Sequence, residues 1–326
     1  MVLLIGLIMF FMFVATSITY VYAYRGQERF DSFNEYLRKG WPIFTPFNCI
    51  LYIFTYKKAL KPIISVKDFP ELLAIQEHWQ VISQEAQTLL ENGYFDHTKD
   101  PENNAYYDIG FRTFYKYGWS KFYLKWYGYT HSSALKHCPK TVEILKKVKI
   151  VNGAMFSYLP VGSQLTRHLD PVACSLRYHL GLKTPGQDTC FINVDGNNYS
   201  WRDGEGFIFD ETYLHFAKNN SDVNRLILMC DIERPMFLIG PFINFIYKIA
   251  MRMSIVPNTS EDQRGFANKV FAGLSPVLKK TKALKESNPF RYKLIKHSVN
   301  FTLLLILVGL IYLALNFIRH IVNFFA

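Results

Sequence analysis

Arg167-His168-Leu169-Asp170 sets an imidazole and a carboxylate two residues apart. On an extended strand two such side chains project from one face. A second imidazole follows at His215, in Asp210-Glu-Thr-Tyr-Leu-His215. Two histidines and one carboxylate make the facial triad that binds iron(II) and leaves coordination positions open. Arg225 comes next, after the polar turn Lys218-Asn-Asn-Ser-Asp222. A hairpin there brings Arg225 back beside the strand carrying His215. A guanidinium inside a barrel is costly unless it meets an anion, and a dicarboxylate meets it through paired hydrogen bonds. Arg177 and His179 are also two apart and share a face. Each feature has an ordinary reading as well. His-x-Asp pairs arise by chance, and a buried Arg can simply pair with Asp210 or Asp231. Three readings stay open on the residues alone: a non-haem iron oxygenase, a cupin-like metal binder, and a core whose polar residues are satisfied.

These side chains need strands to hold them. Ser157-Tyr-Leu, Ser175-Leu-Arg-Tyr-His-Leu, Cys190-Phe-Ile-Asn-Val, Gly206-Phe-Ile-Phe and Arg225-Leu-Ile-Leu-Met-Cys read as strands. Asp195-Gly196 and Asp203-Gly204 mark turns between them. Many short strands at close spacing predict a mainly β fold with flanking helices, a double-stranded β-helix or jelly roll. Upstream, Leu72, Leu73, Ile75, Trp79, Ile82, Ala86 and Leu89 recur at helical spacing over 69–91. Pro70 suits its first turn and Gly93 its stop.

The chain has 326 residues, 50% of them hydrophobic and only 19% charged, with a net charge of +11. That excludes a disordered or fibrous chain and points to a membrane surface or nucleic acid as partner. Position decides between them. Residues 2–24 carry no charge and are long enough to cross a bilayer. Val21-Tyr22-Ala23 loosely resembles a signal cleavage site. However, the positive charges, Arg25 and Arg29, follow the apolar run instead of preceding it, so a retained anchor is expected. A second span is expected over 298–318, preceded by Lys279, Lys280, Lys282, Lys285, Arg291, Lys293 and Lys296. The positive-inside rule then puts the middle of the chain in the cytoplasm. The stretches 41–56 and 236–253 are apolar but broken by prolines or charges, and read as lying in the membrane interface. Cys49, Cys138, Cys174, Cys190 and Cys230 are odd in number and form no CxxC pair, as expected of reduced thiols. Arg112, Lys116, Lys121 and Lys125, interleaved with aromatics over 111–126, suit either a phosphorylated lipid or a hairpin with an aromatic core face.

Leu176-Arg-Tyr-His-Leu-Gly-Leu182, Trp201-Arg-Asp-Gly204, Ile208-Phe-Asp-Glu-Thr212 with His215, and Arg225-Leu-Ile-Leu together resemble the aspartyl/asparaginyl β-hydroxylase family. Within it, the chain is most similar to the membrane-bound bacterial lipid A hydroxylases. That likeness extends to Phe69-Pro-Glu-Leu-Leu73, Phe122-Tyr-Leu-Lys-Trp-Tyr-Gly128, Cys138-Pro-Lys-Thr-Val-Glu143 and Val151-Asn-Gly-Ala-Met-Phe156. The resemblance implies an Fe(II)- and 2-oxoglutarate-dependent dioxygenase that uses O2, releases succinate and CO2, and hydroxylates C2 of a secondary acyl chain of lipid A. It implies His168 and His215 as iron ligands, with Asp170 completing the triad where some animal members have glycine. It assigns Ser157 and Arg225 to the distal carboxylate of 2-oxoglutarate, and Arg177 and His179 to its metal-binding end. The implied organisation is an anchor at 1–24, a basic interfacial segment at 25–65 and a cytoplasmic dioxygenase domain at 66–235. An interfacial and basic segment at 236–297 and an anchor at 298–318 complete it, on a bacterial inner membrane beside a lipid A precursor. A peptidyl Asp/Asn hydroxylase and a non-enzymatic lipid-binding scaffold are the alternatives. The clustered histidine boxes of a di-iron acyl hydroxylase are absent.

Overall fold

The computed structural model describes residues 2–100, 103–106, 108, 110, 118–299, 301, 302, 305, 309 and 316. The chain divides into two units, Met1–Lys269 and Val270–Ala326. The second contains the helix Ser275–Ser287. Most of the anchor expected at 298–318 lies outside the described residues, as do Arg112 and Lys116.

Among the described residues the first unit has eleven strands. They are β1 (Ile63–Ile64), β2 (Ser120–Trp126), β3 (Tyr129–Thr130), β4 (Val151–Leu159), β5 (Gln164–His168), β6 (Ser175–Lys183), β7 (Cys190–Val194), β8 (Asn197–Ser200), β9 (Gly206–Phe209), β10 (His215–Asn219) and β11 (Arg225–Glu233). One antiparallel sheet runs β1-β9-β6-β11-β4-β2-β3 and the other β5-β10-β7-β8. From β4 onward the chain crosses back and forth between the two sheets, with only β7 and β8 staying together as a hairpin. That alternation is the jelly-roll path. The β7–β8 turn is Asp195-Gly196, with φ of 51° and 88°, as the Asp-Gly signal predicts.

The larger sheet is buried on both sides, so its central strands read as nearly continuous apolar runs. Leu176, Tyr178, Leu180 and Leu182 of β6, with Leu226, Leu228, Cys230 and Ile232 of β11, face a core shared with Ile82, Ala86, Leu89, Val142 and Leu145. The last five belong to the helices Trp79–Glu91 and Pro139–Lys147. The alternate residues face the second sheet. There Met155, Leu159, Ile227 and Met229 pack with Ile192, Val194, Trp201 and Ala217. Period-two alternation therefore delivers Ser157, Arg177, His179 and Arg225 to the space between the sheets.

Two expectations about the elements of the domain change in the structure. The 69–91 helix is interrupted: a 3-10 turn at Pro70–Leu72 and a short helix at Leu73–Gln76 precede Trp79–Glu91. The hairpin expected to return Arg225 beside His215 does not form. β10 pairs with β5 and β7, whereas β11 pairs with β4 and β6 in the other sheet. The polar turn carries the chain across the barrel, and Arg225 faces its interior from the opposite wall.

At the N-terminus the helix Val2–Thr19 runs on through a π-helical turn at Tyr20–Tyr24. Ile5–Tyr24 has a mean hydropathy of 1.9, and among the described residues it is the one helix long and apolar enough to cross a membrane. Its end packs into the domain: Ile18, Val21 and Tyr22 lie against Phe30, Tyr36, Leu169 and Leu214. Arg25, expected as a flanking charge, is instead buried. It donates to Asp210 Oδ2 at 2.9 Å and lies 3.7 Å from the Tyr213 ring centre.

Candidate active site

His168 ends β5 and His215 opens β10, and the two are direct partners across the strand pair. Their ring centres are 4.2 Å apart. Asp170 lies beyond the strand, not on it. It is held by its own N–H, which donates to Glu211 O at 2.8 Å. Ligand atoms of His168, Asp170 and His215 all fall within 4.8 Å of one another. His168 Nε2 is 3.5 Å from Asp170 Oδ1.

The tautomers suit a metal. His168 Nδ1 is 2.7 Å from Thr166 O, and His215 Nδ1 is 2.9 Å from Tyr213 O. A carbonyl only accepts, so each Nδ1 carries a proton, which leaves Nε2 as the atom to meet a metal. Burial first, then neighbouring His168, push the His215 imidazole down to about 3, so it is neutral at physiological pH. Burial opposes a charge on Asp170, but His168 and Arg177 outweigh it and hold the carboxyl well below the usual range. Two imidazoles and an ionised carboxylate fit a divalent iron, the donor set of the facial triad.

Arg177 sits behind this group. Its Nη2 donates to Asp170 Oδ2 at 3.0 Å and to Glu211, and its Nε lies 3.1 Å from Asp231 Oδ1. Asp231 faces Arg177 directly across β6 and β11. Burial, reinforced by Asp170 and Asp231, raises Glu211 well above the ordinary carboxyl range, although Arg177 opposes it. Tyr127 and Ser175 hydroxyls donate to Asp231 and Glu211 at 3.2 and 2.6 Å. Here Arg177 is engaged by carboxyls of the chain itself and fixes one oxygen of Asp170.

The second half of the site is cationic. Arg225 is 3% exposed and has no carboxylate partner among the described residues. It donates to Ser157 Oγ at 2.9 Å and lies 4.4 Å from the Trp201 ring centre. Trp119 Nε1 donates to the same hydroxyl at 2.6 Å. Burial lowers the guanidinium to about 10, so it stays charged at neutral pH. Its Nε is buried with no hydrogen-bond partner among the described residues. His179 is orphaned in the same way. Its Nδ1 accepts from Trp201 Nε1 at 3.3 Å, so the neutral ring carries its proton on Nε2, which has no partner. Burial, then Arg225, Arg177 and His215, keep that ring from protonating. A buried unsatisfied donor is costly. Two of them, on Arg225 and near the histidine pair, match the two ends of a dicarboxylate such as 2-oxoglutarate.

Trp119, Glu211 and Tyr127 were not among the candidates from sequence, nor was the inward turn of Arg25; Asp231, read there as a partner for a buried Arg, takes that place beside Arg177. A lone Asp in the apolar run of β11 was a signal for Asp231, because a buried charge demands a counter-charge. Of the two readings of 111–126, Lys121 fits the one in which this stretch faces the core and not a lipid. It is 6% exposed and ion-paired with Asp108.

The Aspartyl/Asparaginyl beta-hydroxylase family matches residues 76–235. The ornithine lipid ester-linked acyl 2-hydroxylase of Rhizobium tropici is 30% identical over 156 residues, 47% of this chain and 56% of that protein. The human aspartyl/asparaginyl beta-hydroxylase is 27% identical over 169 residues, 50% of this chain and 21% of that protein. The chain thus spans just over half of the first relative and about a fifth of the second. A solved Pseudomonas putida prolyl-4-hydroxylase aligns at 14% identity, covering 49% of this chain and 87% of that one, with a TM-score of 0.32. Residues 76–235, the stretch that matches the aspartyl/asparaginyl β-hydroxylase family, enclose every ligand and anion-pocket residue described above.

Proposed function

We propose that this protein is an Fe(II)/2-oxoglutarate-dependent dioxygenase that hydroxylates C2 of a secondary acyl chain of lipid A at the cytoplasmic face of a bacterial inner membrane. The observation that carries the lipid part is the seat of the N-terminal helix. Leu169 lies between His168 and Asp170, and Leu214 precedes His215; both pack against the end of the apolar helix. An aqueous peptide hydroxylase has no need of a long apolar helix seated on the neighbours of its metal ligands. The Rhizobium relative, named for an acyl 2-hydroxylation, supports the same reaction class.

His168, Asp170 and His215 would hold the iron. Arg225 and Ser157 would bind the far carboxylate of 2-oxoglutarate, with His179 Nε2–H donating at its metal end. Iron with 2-oxoglutarate and O2 supplies an oxidant strong enough for an unactivated C–H bond, which no acid or base in the site could functionalise. The protein's own contribution is placement. Arg177 orients Asp170, the backbone carbonyls orient both imidazoles, and Trp119, Trp201 and Phe209 keep water from the anion pocket.

A second reading has its own support: the same relative is named for ornithine lipid, an aminolipid without phosphate. One experiment separates them. Lipids from cells with and without the protein are compared by mass spectrometry. The expected result is one added oxygen on a lipid A secondary acyl chain, lost in His168→Ala and in His215→Ala. Oxygen added to ornithine lipid alone selects the second reading. Unchanged lipids in a host that makes both would refute both.

A further inference from the structure

Two helices beside the site are inside out. In the helix Thr45–Ile53, Thr45, Asn48 and Leu51 are buried. Phe47, Ile50 and Ile53 are exposed, as is Ile43 just before them. The buried polar groups are all satisfied. Thr45 meets Tyr36 at 2.7 Å, while Asn48 donates to Pro171 O and accepts from Ala173 N, both at 2.9 Å. The helix Gly240–Arg252 repeats the inversion. Asn244 is buried against Glu233 and Arg234 O, whereas Phe242, Phe245, Ile246 and Ile249 form an exposed stripe. An amphipathic helix in water turns its polar face outward. Polar-in and apolar-out is the arrangement of a helix whose outer solvent is hydrocarbon.

The two helices form one surface. Leu51, Tyr52, Ile243, Tyr247 and Met236 pack together between them. Each helix is entered through a bulky residue in the left-handed region, Trp41 at φ 50° and Leu238 at φ 53°, and both leave their side chains exposed. That conformation is costly for such residues. It is consistent with a surface selected to point these side chains outward. Neither helix can span a bilayer: nine and thirteen residues reach about 14 and 20 Å, against roughly 30 Å of hydrocarbon.

Continuity and charge identify the occupant. The surface is joined to the end of the apolar N-terminal helix, because Tyr36 packs on Ile18 and Tyr22 and also bonds Thr45. Residues 41–61 and 236–253 contain no acidic side chain. Exposed Lys57, Lys58 and Lys61 follow the first helix, and exposed Arg252 closes the second. An apolar face edged by cations suits the acyl–headgroup boundary of an anionic leaflet.

We infer that the helices Thr45–Ile53 and Gly240–Arg252 form a platform half-sunk in one leaflet of the membrane, its outward stripe against acyl chains. The platform is bolted to the ligand-bearing segments through Asn48, which grips residues 171 and 173, and Tyr52, whose hydroxyl donates to Thr212 at 2.9 Å. Its immersion depth therefore fixes how far the histidine pair stands from the acyl layer.

The full chain is reconstituted in phosphatidylglycerol–phosphatidylcholine vesicles, in a Cys49→Ser background; the other four cysteines are buried. Nitroxides are placed singly at Ile50→Cys, Phe245→Cys and Ile249→Cys. Lys147→Cys, at an exposed position of the helix Pro139–Lys147, serves as control. Thermal melts show that each variant is folded. The expected result is relaxation by oxygen well above that by Ni-EDDA at all three platform sites, and the reverse at the control. Ni-EDDA reaching the platform sites as readily as the control overturns the proposal. Exclusion of both reagents also overturns it, since the face is then covered by protein. No turnover enters the measurement, so a platform at the expected depth with unmodified lipids removes only the catalytic reading.

Discussion

Arg177 faces Asp170, Glu211 and Asp231 from inside the barrel. Replacing it with Gln leaves buried carboxyls without a cation. Arg177→Gln is expected to lower unfolding free energy by about 3–5 kcal/mol, measured by urea titration. Iron(II) affinity falls with it, because Asp170 loses the group that orients it. Arg225 is a different case: its charge has no partner to strand. Arg225→Lys keeps the cation but loses the fork, and should raise the 2-oxoglutarate KM by about tenfold or more while leaving iron binding unchanged. An unchanged KM would remove the cosubstrate from that pocket. The His-x-Asp and later His were legible as types in order. Their neighbours were not, because Asp231 meets Arg177 through strand register, which the sequence of either strand alone does not reveal.

Strands were the legible elements, for a physical reason. A sheet covered on both sides demands apolar residues at nearly every position, and the interior polar ones then stand out: Arg177 and His179 in β6, Arg225 and Asp231 in β11. What could not be read was which sheet each strand joins. Two apolar runs joined by a polar turn look alike as a hairpin and as a crossing between sheets, hence the misplaced partner for Arg225. Gly181 shows how tightly one crossing is fitted. A Cβ there would collide with Arg202 O, in the turn that presents Trp201 to Arg225. Gly181→Ala is expected to cost about 1–3 kcal/mol by overpacking. It should also weaken 2-oxoglutarate binding, seen as a smaller stabilisation of the melt by the cosubstrate.

At the scale of the molecule, Asp210 ties three parts together. Arg25 from the end of the apolar helix and Arg234 from the end of β11 both donate to it. Burial pushes its carboxyl up, but Arg234 and Arg25 outweigh that and hold it below the ordinary value of 3.8. A depressed carboxyl stabilises the fold fully above its unfolded value and loses that contribution as pH falls through the folded one. Acid unfolding should therefore steepen below about pH 4, and Asp210→Asn should flatten that part of the profile. Arg25 had been legible only as a flanking charge, since nothing local distinguishes an arginine that faces headgroups from one that turns inward. The contact of Leu169 and Leu214 with the helix end has a further consequence for the proposed lipid reaction. It sets the height of the reacting position above the bilayer by the protein's own attachment. An acyl carbon beside its ester sits at one altitude whatever the length of the tail beyond it. A site mounted this way selects by depth, and is indifferent to how far the chain continues.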